Sequence, residues 1–244
     1  MKVFAVNASP FMEKGNTGLL LAPFLDGMKE EGADVDLVYV RKLHVKPCLG
    51  ELSCWTKTPG KCVQDDDVRT LLPKFQEADV IVFATPVYVD GMPGSLKNLI
   101  DRIVPTVEPY FELRDGHCRH PPRQPGKRSK VVLVSSCGFW EMDNFDPLVM
   151  HMKAICKNAS WEYTGALLRP HGDALGYMVE NGPSVEDVLA AARNAGRELV
   201  KTGRLGEENL KVVSRELCPL ELYVKMVNRG FKQEIDRHAH SQKA

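Results

Sequence analysis

The run DVIVFATP, residues 79–86, constrains this chain more than any other stretch. It is apolar almost throughout rather than at alternate positions. A strand made of it has no face left for water, so it belongs in the middle of a sheet covered on both sides. KVVLVSSCG at 130–138 has the same character. Weaker strand patterns lie at KVFAVNA (2–8), DVDLVYV (34–40) and YTGALLRP (163–170). Helical periodicity fills the gaps. It runs from Asn16 to Glu31, with Leu20, Phe24, Leu25 and Met28 at helical spacing and Gly32 as the stop. It returns after Asp65–Asp67, whose carboxylates suit a helix start, with Val68, Leu71, Leu72 and Phe75. Further helices read at 94–104, 144–158 and 184–203, the last with a serine cap and a terminal glycine.

Five strands alternating with helices imply an α/β protein: a doubly wound, five-stranded parallel sheet with helices on both faces. Ligands in this class bind beyond the carboxyl ends of the strands, where strand order reverses. The loops that follow the strands are therefore the ones to inspect. Two segments fall outside the alternation. One is 105–129, rich in proline and basic residues, which reads either as a solvated loop or as a cover for a neighbouring ring or phosphate. The other is a tail whose Leu220, Tyr223, Val224, Val227 and Phe231 mark an amphipathic helix. The expected division is a main domain at 1–205 and a C-terminal helical extension with a flexible tail at 206–244.

Formal net charge is zero, which argues against nucleic acid or an anionic membrane as partner. No apolar run approaches the ~18 residues of a membrane span. MKVFAVNASP is too short an apolar start for a secretory signal. Seven scattered cysteines do not suggest a disulfide framework, and a cytoplasmic setting is expected.

Three loops carry the chemistry. NASPFMEKGNTG (7–18) joins the first strand to the first helix and offers Ser9, Asn16 and Thr17 beside a helix N-terminus, a natural place for phosphate. It matches neither a triphosphatase loop nor the dinucleotide fingerprint, so a mononucleotide such as FMN suits it better than either; a merely capped turn is the plain alternative. TPVYVDGMPGSLKNLIDR (85–102) and SSCGFWE (135–141) follow the two buried strands, with glycines that admit a flat ring.

Together these three segments resemble the flavin loops of flavodoxin-like NAD(P)H-dependent FMN reductases, and more narrowly the iron–sulfur flavoprotein branch. The likeness extends over roughly residues 1–205. It implies that Ser9, Asn16 and Thr17 hold the FMN phosphate. Thr85, Pro86, Val87, Tyr88 and Gly91 would line the ribityl chain and ring, and Ser136, Cys137 and Gly138 would meet the ring from the other side. Phe11 stands where the family often has arginine, so part of the charge opposite the phosphate is missing.

The resemblance also explains KPCLGELSCWTKTPGKC at 46–62. In the iron–sulfur branch four cysteines here carry a 4Fe–4S cluster. This chain keeps Cys48, Cys54 and Cys62 as the three possible ligands but has Glu51 at the remaining position. A hard carboxylate replaces a soft thiolate, and an intact cluster is not expected.

The implied function is that of an FMN-dependent oxidoreductase, using NADH or NADPH to reduce a small acceptor such as a quinone, nitro compound, flavin or oxygen. A homodimer or homotetramer is the expected assembly. Chemistry carried by flavin needs no catalytic side chain. Two alternatives stay open: an electron carrier with a cluster at the cysteine loop, and a flavin-free binding or scaffold protein on the same fold.

Overall fold

The structure, a computed structural model, describes residues 1–241. In chain order the elements begin with β1 (Lys2–Asn7), α1 (Asn16–Glu30) and β2 (Asp34–Tyr39). Next come α2 (Ser53–Thr56), α3 (Val68–Glu77), β3 (Val80–Pro86) and α4 (Gly94–Asp101). A small hairpin, β4 (Glu112–Arg114) and β5 (His117–Arg119), precedes β6 (Lys130–Ser136), α5 (Asp146–Ala159) and β7 (Glu162–Arg169). Four helices close the chain: α6 (Gly172–Asn181), α7 (Glu186–Thr202), α8 (Glu207–Ser214) and α9 (Leu220–Ser241).

The main sheet has the order β2-β1-β3-β6-β7, and every pairing in it is parallel. The expected doubly wound, flavodoxin-like sheet is therefore present. Strand order reverses at β1, which has β2 on one side and β3 on the other, and this opens the crevice at the carboxyl ends of β1 and β3. The two most apolar runs, β3 and β6, are central as their composition requires. β2 alternates and forms an edge.

Two cores flank the sheet. One joins α3, α4 and α5 to the sheet through Leu71, Phe75, Leu99, Leu148 and Met152. The other joins α1, α7 and α8 through Leu20, Phe24, Met28, Ala195 and Val213. Here α1 and α7 approach so closely that two glycines are required. A Cβ on Gly27 would lie 1.9 Å from the Arg193 carbonyl oxygen, and one on Gly196 would lie 2.0 Å from that of Phe24.

Some local features differ from the sequence expectations. The segment 105–129 contains the β4–β5 hairpin, which fastens down through Arg114 to Ser160 and Arg123 to Glu108. Its ties run to the end of α5, to the end of α3 and Asp79 through Lys127, and to Trp55 through the Val107 carbonyl, rather than to the three loops. Helices α6 and α8 lacked a clear apolar period. Of the three aspartates before α3, Asp66 accepts the Val68 amide but chiefly forms a buried ion pair. Among the described residues no helix is long and apolar enough to cross a membrane.

Candidate functional site

The loop after β1 is folded by its own side chains. Asn7 Oδ1 accepts the Ser9 amide at 2.8 Å, and Asn7 Nδ2 donates to the Met12 carbonyl at 3.3 Å. Gly15 then enters α1 in extended conformation, and no side chain caps the helix. The first-turn amides therefore lack intrahelical partners and carry the positive end of the helix dipole. A Cβ on Gly15 would sit 2.6 Å from Ser9 Oγ, so the tight approach of Ser9 to the helix start needs glycine.

Thr17 is buried, and its hydroxyl lies 2.7 Å from that of Ser136. This pair ties the β1 loop to the end of β6. Asn16 donates to Asp173 Oδ1 at 2.8 Å. Phe11 points outward and is largely exposed. A cation does reach this loop from elsewhere: Arg41, just beyond β2, donates to the Pro10 carbonyl at 2.5 Å. It forms no ion pair among the described residues.

After β3 the chain makes a tight reversal. Tyr88 and Gly91 exchange backbone hydrogen bonds of 2.8 and 3.1 Å. Val89 and Asp90 between them have φ of 46° and 61°, the left-handed region at both central positions of a two-residue hairpin. Neither is glycine, so the turn stores roughly 1–2 kcal/mol per residue. Val89 is 99% exposed, and Tyr88 also faces solvent. Thr85 is wholly buried, with its hydroxyl on the Pro86 carbonyl at 3.1 Å. The Val87 amide donates to the Ser136 carbonyl, which fixes this loop to the next.

β6 ends in buried Ser136, and buried Cys137 and exposed Gly138 and Phe139 follow it. Burial pushes the Cys137 thiol up, and its sulfur accepts the Phe139 amide at 3.3 Å. The loop leans on residues beyond β7. Gly172 donates to the Cys137 carbonyl at 2.8 Å and His171 to the Phe139 carbonyl at 2.7 Å. Trp140 stacks near the His171 ring, with centroids 5.8 Å apart.

The arrangement thus brings Ser9, Asn16, Thr17 and Ser136 together and sets the 86–91 and 136–138 loops side by side. Sequence reasoning missed Arg41, Asp173 and His171. Asp173 had a usable signal, an acid just past a strand at a helix start. Arg41 and His171 also stand just past strands, but nothing local marks their contacts to Pro10 and Leu217.

The donor set suits FMN. An uncapped helix start beside hydroxyls accepts a phosphate, and exposed Tyr88 and Phe139, on the loops after β3 and β6, can offer apolar cover for a flat ring.

The cysteine loop lies on the same side of the sheet, after β2. Several of its side chains serve protein contacts. Glu51 accepts the Ser53 amide at 2.7 Å, and the Ser53 hydroxyl and amide hold its carboxyl below the usual range. Cys62 Sγ accepts from Arg102 Nη2 at 3.3 Å. Cys54 is buried, which pushes its thiol up, as do neighbouring Cys62, Glu51 and Cys48. Trp55 anchors the loop by donating to the Val104 and Val107 carbonyls at 3.2 and 3.0 Å. Among the described residues no three His, Cys, Asp or Glu side chains are gathered to hold a metal ion. Three thiols, one held by a guanidinium, and a carboxylate turned onto its own helix do not fit a four-iron cluster.

Comparison with known proteins gives the lineage. An iron–sulfur flavoprotein of Archaeoglobus fulgidus is 31% identical over 201 residues, covering 82% of this chain and 80% of the relative. Another, from Methanocaldococcus jannaschii, is 39% identical over 115 residues, or 47% of this chain. That match spans 58% of the relative, and in the other higher-identity matches the chain likewise spans about half of the curated protein. Among solved structures, an FMN-dependent NADH-azoreductase from Bacillus anthracis in complex with FMN superposes with TM-score 0.58 at 16% identity, covering 82% of this chain and 97% of that one. An NAD(P)H:quinone oxidoreductase from Methanothermobacter marburgensis gives 0.56 at 18%, covering 82% and 96%. At such identity these two speak for the fold alone. The sequence profile of the NADPH-dependent FMN reductases matches residues 1–138, more than half of the sequence, and the chain belongs to that family, on its iron–sulfur flavoprotein branch.

Proposed function

We propose that this protein is an FMN-dependent oxidoreductase that takes electrons from NADH or NADPH and delivers them to a small acceptor: a quinone, a nitro compound, a free flavin or oxygen. The observation that carries this reading is the uncapped start of α1 facing Ser9, with Thr17 hydrogen-bonded to Ser136 across the crevice.

In this reading Ser9, Asn16, Thr17 and the first amides of α1 bind the phosphate, and Arg41 contributes the charge that Phe11 lacks. Pro86–Gly91 supports the ribityl chain and one edge of the ring. Thr85 acts from beneath by shaping that loop. Ser136, Cys137 and Gly138 bound the other side. Bound FMN supplies the electron-accepting ring. The protein's part is to orient it, to exclude water with Tyr88 and Phe139, and to place backbone donors against it. We take residues 1–205 as the flavin domain and 206–244 as its extension. Exposed Tyr110, Phe111 and Leu113 provide apolar surface for a second copy in a homodimer or homotetramer.

The test is anaerobic spectroscopy with metal analysis. Purified protein should show flavin absorbance, or take up added FMN to one per chain, and bleach on adding NADH or NADPH. Protein that refuses FMN would favour a scaffold role. Four irons per chain would make it an electron carrier instead.

A further inference from the structure

The C-terminal extension reaches the flavin loop directly. Tyr223, in the first turn of α9, is 5% exposed, and its hydroxyl donates to the Gly138 carbonyl. Trp140 Nε1 donates back to the Cys218 carbonyl at 3.1 Å. Cys218, Tyr223, Trp140, Leu217 and Val227 share one small apolar cluster with Ala174. The segment before α9 is itself held down. Arg169, fully buried at the end of β7, donates to the carbonyls of Val213, Ser214 and Arg215 at 2.7, 3.3 and 2.6 Å. The Leu217 amide donates to His171 Nε2 at 3.0 Å. The strap from 213 to 227 is therefore fastened at both ends of the loop.

The backbone shows what this fastening does. The carbonyls of Cys137, Gly138 and Phe139 are all engaged from behind, by Gly172, Tyr223 and His171. In a trans peptide the N–H points opposite to the carbonyl of the same unit. With the Cys137 carbonyl turned onto Gly172, the Gly138 amide faces the other way. It has no protein acceptor among the described residues. Tyr223 fixes the next peptide plane, and so limits how far Gly138 can rotate.

We infer that Tyr223 is a positioning residue for the flavin, holding the Gly138 peptide so that the Gly138 N–H donates toward the ring. The inference rests on the FMN reading above. A fixed donor near the ring stabilises charge that develops on reduction. Losing its support should weaken binding and make the bound flavin harder to reduce.

The test is Tyr223→Phe, which removes one hydroxyl and keeps the ring, with Trp140→Phe as a second variant that cuts the bond to Cys218. Relative to wild type, FMN dissociation constants should rise about fivefold, the yield of one lost hydrogen bond. The midpoint potential of bound FMN should become more negative, and in the apo-protein the amides of 138–140 should exchange faster. A role in folding alone would lower the melting temperature and leave the potential where it was, which would overturn the inference. Unchanged affinity and potential in both variants, beside a wild type that binds FMN, would overturn it too while sparing the flavin reading. A wild type that takes up no FMN would sink both.

Discussion

Arg102 and Asp66 form a two-pronged ion pair that is withdrawn from solvent. Nη1 lies 2.8 Å from Oδ2 and Nη2 3.0 Å from Oδ1, with the side chains 1% and 0% exposed. The same guanidinium donates to the Lys46 carbonyl at 2.6 Å and to Cys62 Sγ. It thereby closes both ends of the cysteine loop onto the end of α4. Burial by itself would raise the Asp66 pKa; the Arg102 guanidinium and the amides of Lys46 and Val68 outweigh it and hold the carboxyl low.

Asp66→Ala leaves this guanidinium buried without a counter-charge. Removing one partner of a buried pair costs about 3–5 kcal/mol, more than the pair is worth against an apolar replacement. Urea denaturation should show a loss of that size, and the double variant Asp66→Ala, Arg102→Met should recover part of it. A single variant as stable as wild type would mean that the loop does not depend on the pair.

Glu51 bears on iron. After anaerobic reconstitution the wild type should hold well under one cluster per chain, because the fourth donor is a carboxylate engaged with Ser53. Glu51→Cys restores the thiolate and should take up more iron. Equal iron in the two proteins would show that position 51 is not what decides.

Arg41 reaches the 7–18 loop but is exposed, so any contribution it makes to a bound phosphate is screened by salt. Arg41→Met should weaken FMN about tenfold at low ionic strength, as expected for losing a charge-assisted contact. Riboflavin, which has no phosphate, should bind both proteins alike. Equal loss for the two ligands would place Arg41 in loop folding rather than phosphate recognition.

His171 gives the fold a pH dependence. Its Nε2 accepts from Arg169 and from the Leu217 amide, so the proton of the neutral ring sits on Nδ1. Burial, reinforced by Arg169, pulls its pKa from 6.5 down to about 4. The unfolded chain binds this proton more readily than the folded one. The stabilisation is thus complete above pH 6.5 and is lost as pH falls toward 4, by a total on the order of 3 kcal/mol. Denaturation midpoints followed over that window should decline, and less steeply in His171→Asn.

Gly196 and Gly230 are both helical glycines, yet replacing them by alanine should have opposite effects. Alanine gains up to about 1 kcal/mol in helix propensity. At Gly230 nothing lies within 4 Å of a new Cβ, so the gain is kept. At Gly196 the Cβ would meet the Phe24 carbonyl at 2.0 Å, and forcing α1 and α7 apart costs about 1–3 kcal/mol or more. Chemical denaturation of the two variants reads the sign directly.

The sequence by itself determined the sheet and the place of its crevice. Burial of β3 and β6 on both faces is written in unbroken apolar runs, and alternation with helices leaves few topologies for a parallel sheet. It also picked out the 7–18, 85–102 and 135–141 loops, because loops after strands lie at the crevice whatever their detailed shape. Tertiary structure decided what those loops lean on. Arg41 meets Pro10 from 31 residues away, and Tyr223 meets Gly138 from 85. Arg102 reaches Cys62 from the end of α4, 40 residues away. No local period marks such pairs, since a hydrogen bond between distant residues is set by where the packed elements bring them. Asp66 read as a helix-start carboxylate for the same reason: its partner was invisible until α4 was laid beside the cysteine loop.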